Sequence, residues 1–243
     1  MWRIDLNCDL GEGAGHDAEL MPLITSANIA CGAHAGDEAT MRATVALALK
    51  HGVAIGAHPG FADRENFGRR ELPVTPDEVH ALVLDQVRRL QRLGPVRHVK
   101  PHGALYNMAA RDLVLARAVV DAIYEIDPRL VLFGLAGSHL VAVAEACGLP
   151  IVSEVFADRT YQADGSLTSR SQPNAMITDE NAAVAQVLRM VREGKVRATN
   201  GTDAAITAGT VCLHGDGEHA VAFARRLRRE LTAAGIEIKA IGA

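Results

Sequence analysis

The sequence predicts an α/β fold, a closed (β/α) barrel of about seven or eight parallel strands. Three observations carry this. Strand-like and helix-like segments alternate along the chain, the pattern of a parallel sheet. Polar residues recur where strands end: Asp9, His34, His58, Lys100 with His102, Glu154, and His214 with Asp216. An open doubly wound sheet gathers its ligand groups at one switch point, whereas a barrel collects them from many strands onto one mouth. The chain has 243 residues, 49% of them hydrophobic, enough for one large core, so residues 1–243 are expected to form a single domain.

The first strand, Arg3 to Leu10, alternates cleanly, with Ile4, Leu6, Cys8 and Leu10 on one face and Asp5, Asn7 and Asp9 on the other. Three polar groups on one face of so apolar a chain suit a wet site. The run Gly11 to Gly15 that follows reads G-x-G-x-G, with His16 where the last glycine of a dinucleotide fingerprint would stand, so that signal is weak. A second strand, Leu23 to Ala30, leads past Asn28 to His34, set between Gly32 and Gly36 where backbone can approach a ligand closely. Asp37 can cap a helix that runs through Met41 and Val45 to Gly52. Val53 to Ala57 is a third strand, stopped by His58-Pro59-Gly60. After a long charged loop, Thr75-Pro76-Asp77-Glu78 opens a helix with a Thr cap, Pro at its first position and Glu at its third.

The fourth strand carries the densest chemistry, His98-Val99-Lys100-Pro101-His102-Gly103. Alternation points His98, Lys100 and His102 one way. Two imidazoles and an ammonium on one face are costly to bury without partners. The plainer alternative is an edge strand with a solvated basic face. Beyond it come a helix from Asp112 to Ile126, an apolar fifth strand from Leu130 to Leu135, a short helix from Ser138 to Ala146, and a sixth strand from Pro150 to Phe156. The segment Ala157 to Ile177 has neither period and carries Asp158, Arg159, Tyr161 and Arg170; an ordered lid or substrate loop is expected. A helix from Asp179 to Arg192, a seventh strand from Thr210 to Leu213, a helix from Gly217 to Ala234 and a closing strand from Ile236 to Ile241 complete the chain.

The net charge of −4 gives no reason to invoke nucleic acid. No apolar run reaches membrane-span length, and the start lacks the basic and apolar regions of a secretory signal. Cys8, Cys31, Cys147 and Cys212 are widely spaced and form no C-x-x-C pair, as expected of buried thiols in a cytoplasmic protein.

The motifs Asp5 to Gly13, Ser26 to Gly32, His34 to Asp37, Ile55 to Gly60, Val99 to Asn107, Glu154 to Arg159 and Cys212 to Asp216 occur in an order that resembles the LamB/YcsF family. Two departures are visible: Ala33 where an aromatic is expected, and Asn174 after Pro173 where glycine is expected. The resemblance implies an irregular seven-stranded barrel similar to that of the glycoside hydrolase and deacetylase superfamily. It implies the activity of the A subunit of an ATP-hydrolysing 5-oxoprolinase, opening 5-oxoproline (pyroglutamate) to glutamate. Two further subunits, of B and C type, would phosphorylate the lactam, and this one would open the activated ring. ATP would be used by the complex and not bound by this chain alone, which has no G-x-x-x-x-G-K-[ST] loop.

That chemistry needs a general base for water, cations for phosphate and oxyanion, and an anchor for the substrate carboxylate. Asp9 or Glu154 could be the base. Lys100, with His102 or His214, could meet developing charge, and Arg159 or Arg170 could hold a carboxylate or phosphate. Asn7, Glu12, Asn28, His34, His58, Asp158 and Asp216 are further substrate-binding candidates. Two other readings stay open. One is a carrier that holds a small anion without chemistry. The other is a metal-dependent amide hydrolase or deacetylase, with Asp9, His34 and His58 as ligand candidates. No H-x-x-x-H or H-E-x-x-H spacing is present, and the expectation is that no tightly held transition metal is needed.

Overall fold

The computed structural model describes residues 2–213 and 219–241. His214, Asp216 and the expected start of the last helix at Gly217 lie outside the described residues. In chain order the elements are β1 (Trp2–Leu10), α1 (Asp17–Leu20), β2 (Ser26–Ala30), α2 (Glu38–His51), β3 (Ala54–His58), α3 (Pro76–Gln91), β4 (Val96–Val99), α4 (Gly103–Arg111), α5 (Leu113–Ile126), β5 (Val131–Leu135), α6 (His139–Cys147), β6 (Ile151–Phe156), α7 (Glu180–Glu193), β7 (Lys195–Arg197), β8 (Asp203–Ala205), β9 (Thr210–Leu213), α8 (Ala220–Ala233) and β10 (Ile236–Ile238). Short 3-10 turns lie at Met21–Leu23 and Arg64–Asn66.

Seven parallel strands close a ring in the order β1-β2-β3-β4-β5-β6-β9 and back to β1. Closure depends on the length of β1. Its first part, Trp2 to Ile4, pairs with β10, and Asp5 to Cys8 pairs with Thr210 to Leu213 of β9. One strand thus serves two neighbours on the same side. The barrel is the one expected, irregular because the eighth parallel strand lies outside the ring.

The caps expected from sequence form. The Asp37 side chain accepts from Thr40 N, Gly52 ends α2 in the left-handed region, and Thr75 with Glu78 makes a reciprocal capping box on α3. Three elements differ from expectation. Residues 17–23 are helical, so β2 starts at Ser26 and not Leu23. The chain enters α4 directly after His102, and Asp112 caps a second helix, α5, by accepting from Val114 N and Leu115 N. The β7–β8 hairpin, antiparallel and outside the barrel, has no signal in the sequence, because three-residue strands are too short to show a period.

The outward faces of the strands build the core. Ile4, Leu6, Cys8, Ala27, Ile29, Ile55, Ala57, Val99, Leu132, Val155 and Val211 are buried together with Val83, Val87 and Leu90 of α3 and Val119 and Ile123 of α5. The inward faces are largely polar, with Asp5, Asn7, Ser26, Asn28, His98, Lys100, Glu154 and Thr210 all buried. His98 fits there because of its neighbour. The register between β3 and β4 shifts at Ile55/Gly56, and a Cβ at Gly56 would lie 2.0 Å from His98 Nε2. The ring stacks on Phe133, centroids 4.2 Å apart.

The segment 157–177 is irregular but folded. Arg159 bridges to Met176, and Tyr161 bridges to Leu167 and to Ala198, which follows β7 in the hairpin. The Tyr161 hydroxyl accepts from Phe156 N at 2.8 Å. Asn174 keeps a negative φ, since Phe67 is the only non-glycine with positive φ among the described residues, so the backbone does not require glycine at 174. The four cysteines are unpaired thiols. No described helix is long and apolar enough to cross a membrane.

Candidate active site at the barrel mouth

A cavity of about 830 Å³ opens at the C-terminal ends of the strands. Asp9, Glu12, His58, Lys100, His102 and Tyr106 line it, together with Arg159 and residues 164–171 of the irregular segment. Below it lies a network whose orientations are set by carboxylates, which can only accept while ionised. Asn28 Nδ2 donates to Asp9 Oδ1 at 2.8 Å and to Asn7 Oδ1 at 2.7 Å. Its carbonyl therefore faces His98, whose Nε2–H donates at 2.9 Å. Asn7 Nδ2 donates to Glu154 Oε1 at 2.9 Å and to Thr210 Oγ1 at 2.8 Å. Thr210 in turn donates to Asp5, which also accepts from Thr25 and Ser26.

Lys100 stands at the centre. Its Nζ lies 2.8 Å from Asp9 Oδ1, 2.9 Å from Glu154 Oε1, 3.3 Å from Asn7 Oδ1 and 3.0 Å from Cys212 Sγ. Burial works against its charge, but Asp9, Cys212 and Glu154 outweigh that and hold its pKa well above the lysine range. Burial likewise opposes ionisation of Asp9, yet His58 and Lys100 hold it well below the usual carboxylate range. Glu154 Oε2 accepts from the Tyr106 hydroxyl at 2.7 Å.

The other side of the mouth is made of imidazoles. His58 Nε2 is 3.4 Å from Asp9 Oδ2 and 2.8 Å from His102 Nδ1. His34 and His102 stack, centroids 3.8 Å apart and parallel within 1°. Glu12 Oε1 is 3.2 Å from His34 Nε2, 3.4 Å from His102 Nδ1 and 3.8 Å from His58 Nε2. Burial is the main force lowering His34 and His98 to about 3 and His102 to about 2. His58 goes the other way: burial lowers it, but Asp9 more than compensates and raises it. Burial and Asp9 push Glu12 upward.

The residues singled out from sequence are thus distributed as follows. Asp9, Glu12, His58, Lys100 and His102 face the cavity. Asn7, Asn28 and Glu154 lie beneath its floor, fully buried, and orient the groups above. His34 sits behind His102. Arg159 lines the cavity, but its Nε and Nη2 donate to the carbonyls of Ala175 and Thr168, so it also ties the irregular segment together. Arg170 lies on the exposed wall; Asp158 does not line the cavity. His214 and Asp216 lie outside the described residues. The site also contains Tyr106 and Cys212, which are not among the residues expected there. Tyr106 has a signal, its position one helical turn after His102; a buried cysteine carries none.

A parallel barrel whose C-terminal mouth collects a lysine, two carboxylates and three imidazoles belongs to the broad class of (β/α)-barrel proteins with a polar, ionisable mouth. Solved structures place it further. It superposes on the lactam utilization protein from Thermus thermophilus with a TM-score of 0.92 and 45% identity, covering 98% of this chain and 100% of that one. The fold alone is shared with a family 4 carbohydrate esterase from Streptomyces lividans, TM-score 0.53 at 11% identity, covering 99% of this chain and 93% of that one. The LamB/YcsF family model matches residues 4–243. A Shouchella clausii protein, named as the A subunit of 5-oxoprolinase, is 59% identical over 250 aligned positions, covering 99% of each chain. The chain belongs to the LamB/YcsF family.

Proposed function

We propose that this chain opens the ring of an activated 5-oxoproline to give glutamate, as one member of an ATP-using assembly. The carrying observation is the pair Asp9 and Lys100 on the cavity floor, 2.8 Å apart, with the carboxylate held ionised and the ammonium held charged. An unstrained lactam resists water, and phosphorylation of its oxygen makes the ring carbon electrophilic. Asp9 would take a proton from the attacking water, using Oδ2, the oxygen not bound to Lys100. Lys100 would stabilise the negative charge that develops as the tetrahedral centre forms. The ring nitrogen would regain a proton from Asp9 as its C–N bond breaks, the tetrahedral centre would collapse to the acyl phosphate of glutamate, and a second water would free glutamate and inorganic phosphate.

The Shouchella relative is named as one of several parts of its enzyme, which supports partner chains that supply the phosphoryl step. That step needs a donor held in line with the lactam oxygen. A pure anion carrier would want cations and backbone donors, and the carboxylates Asp9 and Glu12 lining the cavity argue against it. The test is glutamate release from 5-oxoproline with ATP and magnesium, assayed for the partner chains with and without this one, and for this chain alone. Glutamate should appear only in the complete mixture, and the single chain should release neither phosphate nor glutamate above background. Both products from the chain alone would overturn the division of labour; glutamate from the partners alone would remove this chain from the reaction.

A further inference from the structure

On the imidazole side of the mouth, ring nitrogens and one carboxylate converge on a shared centre. His58 Nδ1 lies 2.7 Å from the Lys100 carbonyl oxygen, and His102 Nε2 lies 2.8 Å from the Phe67 carbonyl oxygen. A carbonyl oxygen has no proton to give, so each of these nitrogens carries one. In a neutral ring the other nitrogen is then a bare lone pair. Those two lone pairs, His58 Nε2 and His102 Nδ1, face each other at 2.8 Å, with Glu12 Oε1 beside both. Four donor atoms, from Glu12, His34, His58 and His102, lie within 4.8 Å of one another. They are supplied by the loops or ends after β1, β2, β3 and β4 in succession.

We propose that Glu12, His34, His58 and His102 form a binding site for one divalent transition-metal ion of the zinc type. A single proton on His58 can relieve one contact at a time, whereas an ion serves all four donors. Zinc bound to nitrogen and oxygen at about 2.0–2.1 Å in a tetrahedron sets its ligand atoms roughly 3.3–3.4 Å apart. The separations here, 2.8, 3.2, 3.4 and 3.8 Å, bracket that spacing. Three imidazoles and one carboxylate are the donor mix that suits zinc and its neighbours, not magnesium or calcium. The N–H groups of His58 and His102 turned to backbone carbonyls are the outer partners that metal-bound imidazoles require.

Three further observations agree. His34 is 1% exposed, and its Nδ1 has no hydrogen-bond partner. Its ring can therefore tilt out of the stack on His102 toward the shared centre without breaking a bond at Nδ1. The rings sit in a cradle that only glycine allows: a Cβ at Gly60 would lie 2.8 Å from His34 Nδ1, and one at Gly68 would lie 2.8 Å from His34 Cβ and 3.1 Å from His102 Cδ2. Asp9 and Glu154 both pair with Lys100, whereas Glu12 faces the three imidazoles, where a bound cation would be its counter-charge. This revises the expectation, drawn from linear spacing, that no metal is needed. Ligands taken from four successive strand ends and loops leave no local motif.

The full chain, purified without chelator, is analysed for metal content, then stripped and titrated with zinc alone against a chromophoric chelator, without lactam, nucleotide or partner chains. Cobalt is added to a second portion for its visible spectrum. The expected result is one zinc per chain, intense four-coordinate cobalt bands, and zinc affinity weakened more than about a hundredfold in Glu12→Gln and in His102→Gln. Glu12→Gln conserves shape, so it remains informative should His102→Gln fail to fold. His51→Gln, on the outer end of α2, should bind as the parent does. A stripped, folded chain that takes up no stoichiometric zinc or cobalt, or a Glu12→Gln chain that binds like the parent, would overturn the site. Ring opening is not part of the readout, so failure of the lactam reading and failure of this one are distinguishable.

Discussion

The two sides of the mouth are supplied by neighbouring strands yet differ in how far their polar atoms are satisfied. On the Lys100 side every group has a partner: the ammonium meets two carboxylates, an amide oxygen and a thiol, and Glu154 has Lys100, Asn7 and Tyr106. On the imidazole side two ring nitrogens face each other and a third has no partner. The first side is complete by itself; the second is where the proposed cation would sit. A buried network that closes on itself rigidifies the barrel, whereas one left open by a single charge is a place for a ligand.

Lys100→Met should break this difference most severely. It leaves Asp9 and Glu154 buried without their shared cation, and loss of one partner of a buried pair typically costs about 3–5 kcal/mol. Denaturant unfolding checks it, and a loss under about 1 kcal/mol would mean water reaches the carboxylates. Asp9→Asn keeps the volume and removes the proton acceptor, so the fold should stand while turnover of the complete assembly falls by about 10²–10⁴. Near-parental glutamate release would remove Asp9 from the chemistry.

Acid should act mainly through imidazoles. His34, His98 and His102 are held at about 3, 3 and 2, below the unfolded histidine value, so the unfolded chain takes up protons first. Their contribution is fully present above pH 6.5 and is lost as pH falls from there toward 3. The limiting slope is roughly 1.4 kcal/mol per pH unit for each histidine. His58, raised by Asp9, has the opposite sign: its contribution is present below the unfolded value and fades as pH rises through its folded pKa. Thermal melts should therefore show a midpoint that falls steadily below pH 6.5, and a flat profile down to about pH 4 would contradict the buried neutral rings. The smallest change is Tyr106→Phe, which strips one hydroxyl from Glu154 Oε2 and should cost about 1–3 kcal/mol in unfolding free energy. No measurable loss would place water at that oxygen.

What the sequence by itself determined is periodic or local. Alternation along Arg3 to Leu10 placed Asp5, Asn7 and Asp9 on one face, and they do line the lumen. The Thr75 to Glu78 cap and the Gly52 stop depend only on neighbours within one turn. Alternation also put His98, Lys100 and His102 on one side, although the strand ends at Val99, because the chain stays extended to His102 before α4 begins. Only the tertiary structure decided which polar residues reach the cavity. Glu154 and Asn28 look in sequence like Asp9, yet ring closure sinks them beneath the floor. The Lys100–Cys212 contact joins residues 112 positions apart, and Glu12 with the three imidazoles comes from the ends of four successive strands or the loops after them. Periodicity fixes the face a side chain takes; barrel closure and the tilt of its strands set the depth at which it sits and the neighbour it meets, and those are properties of the closed ring and not of any segment.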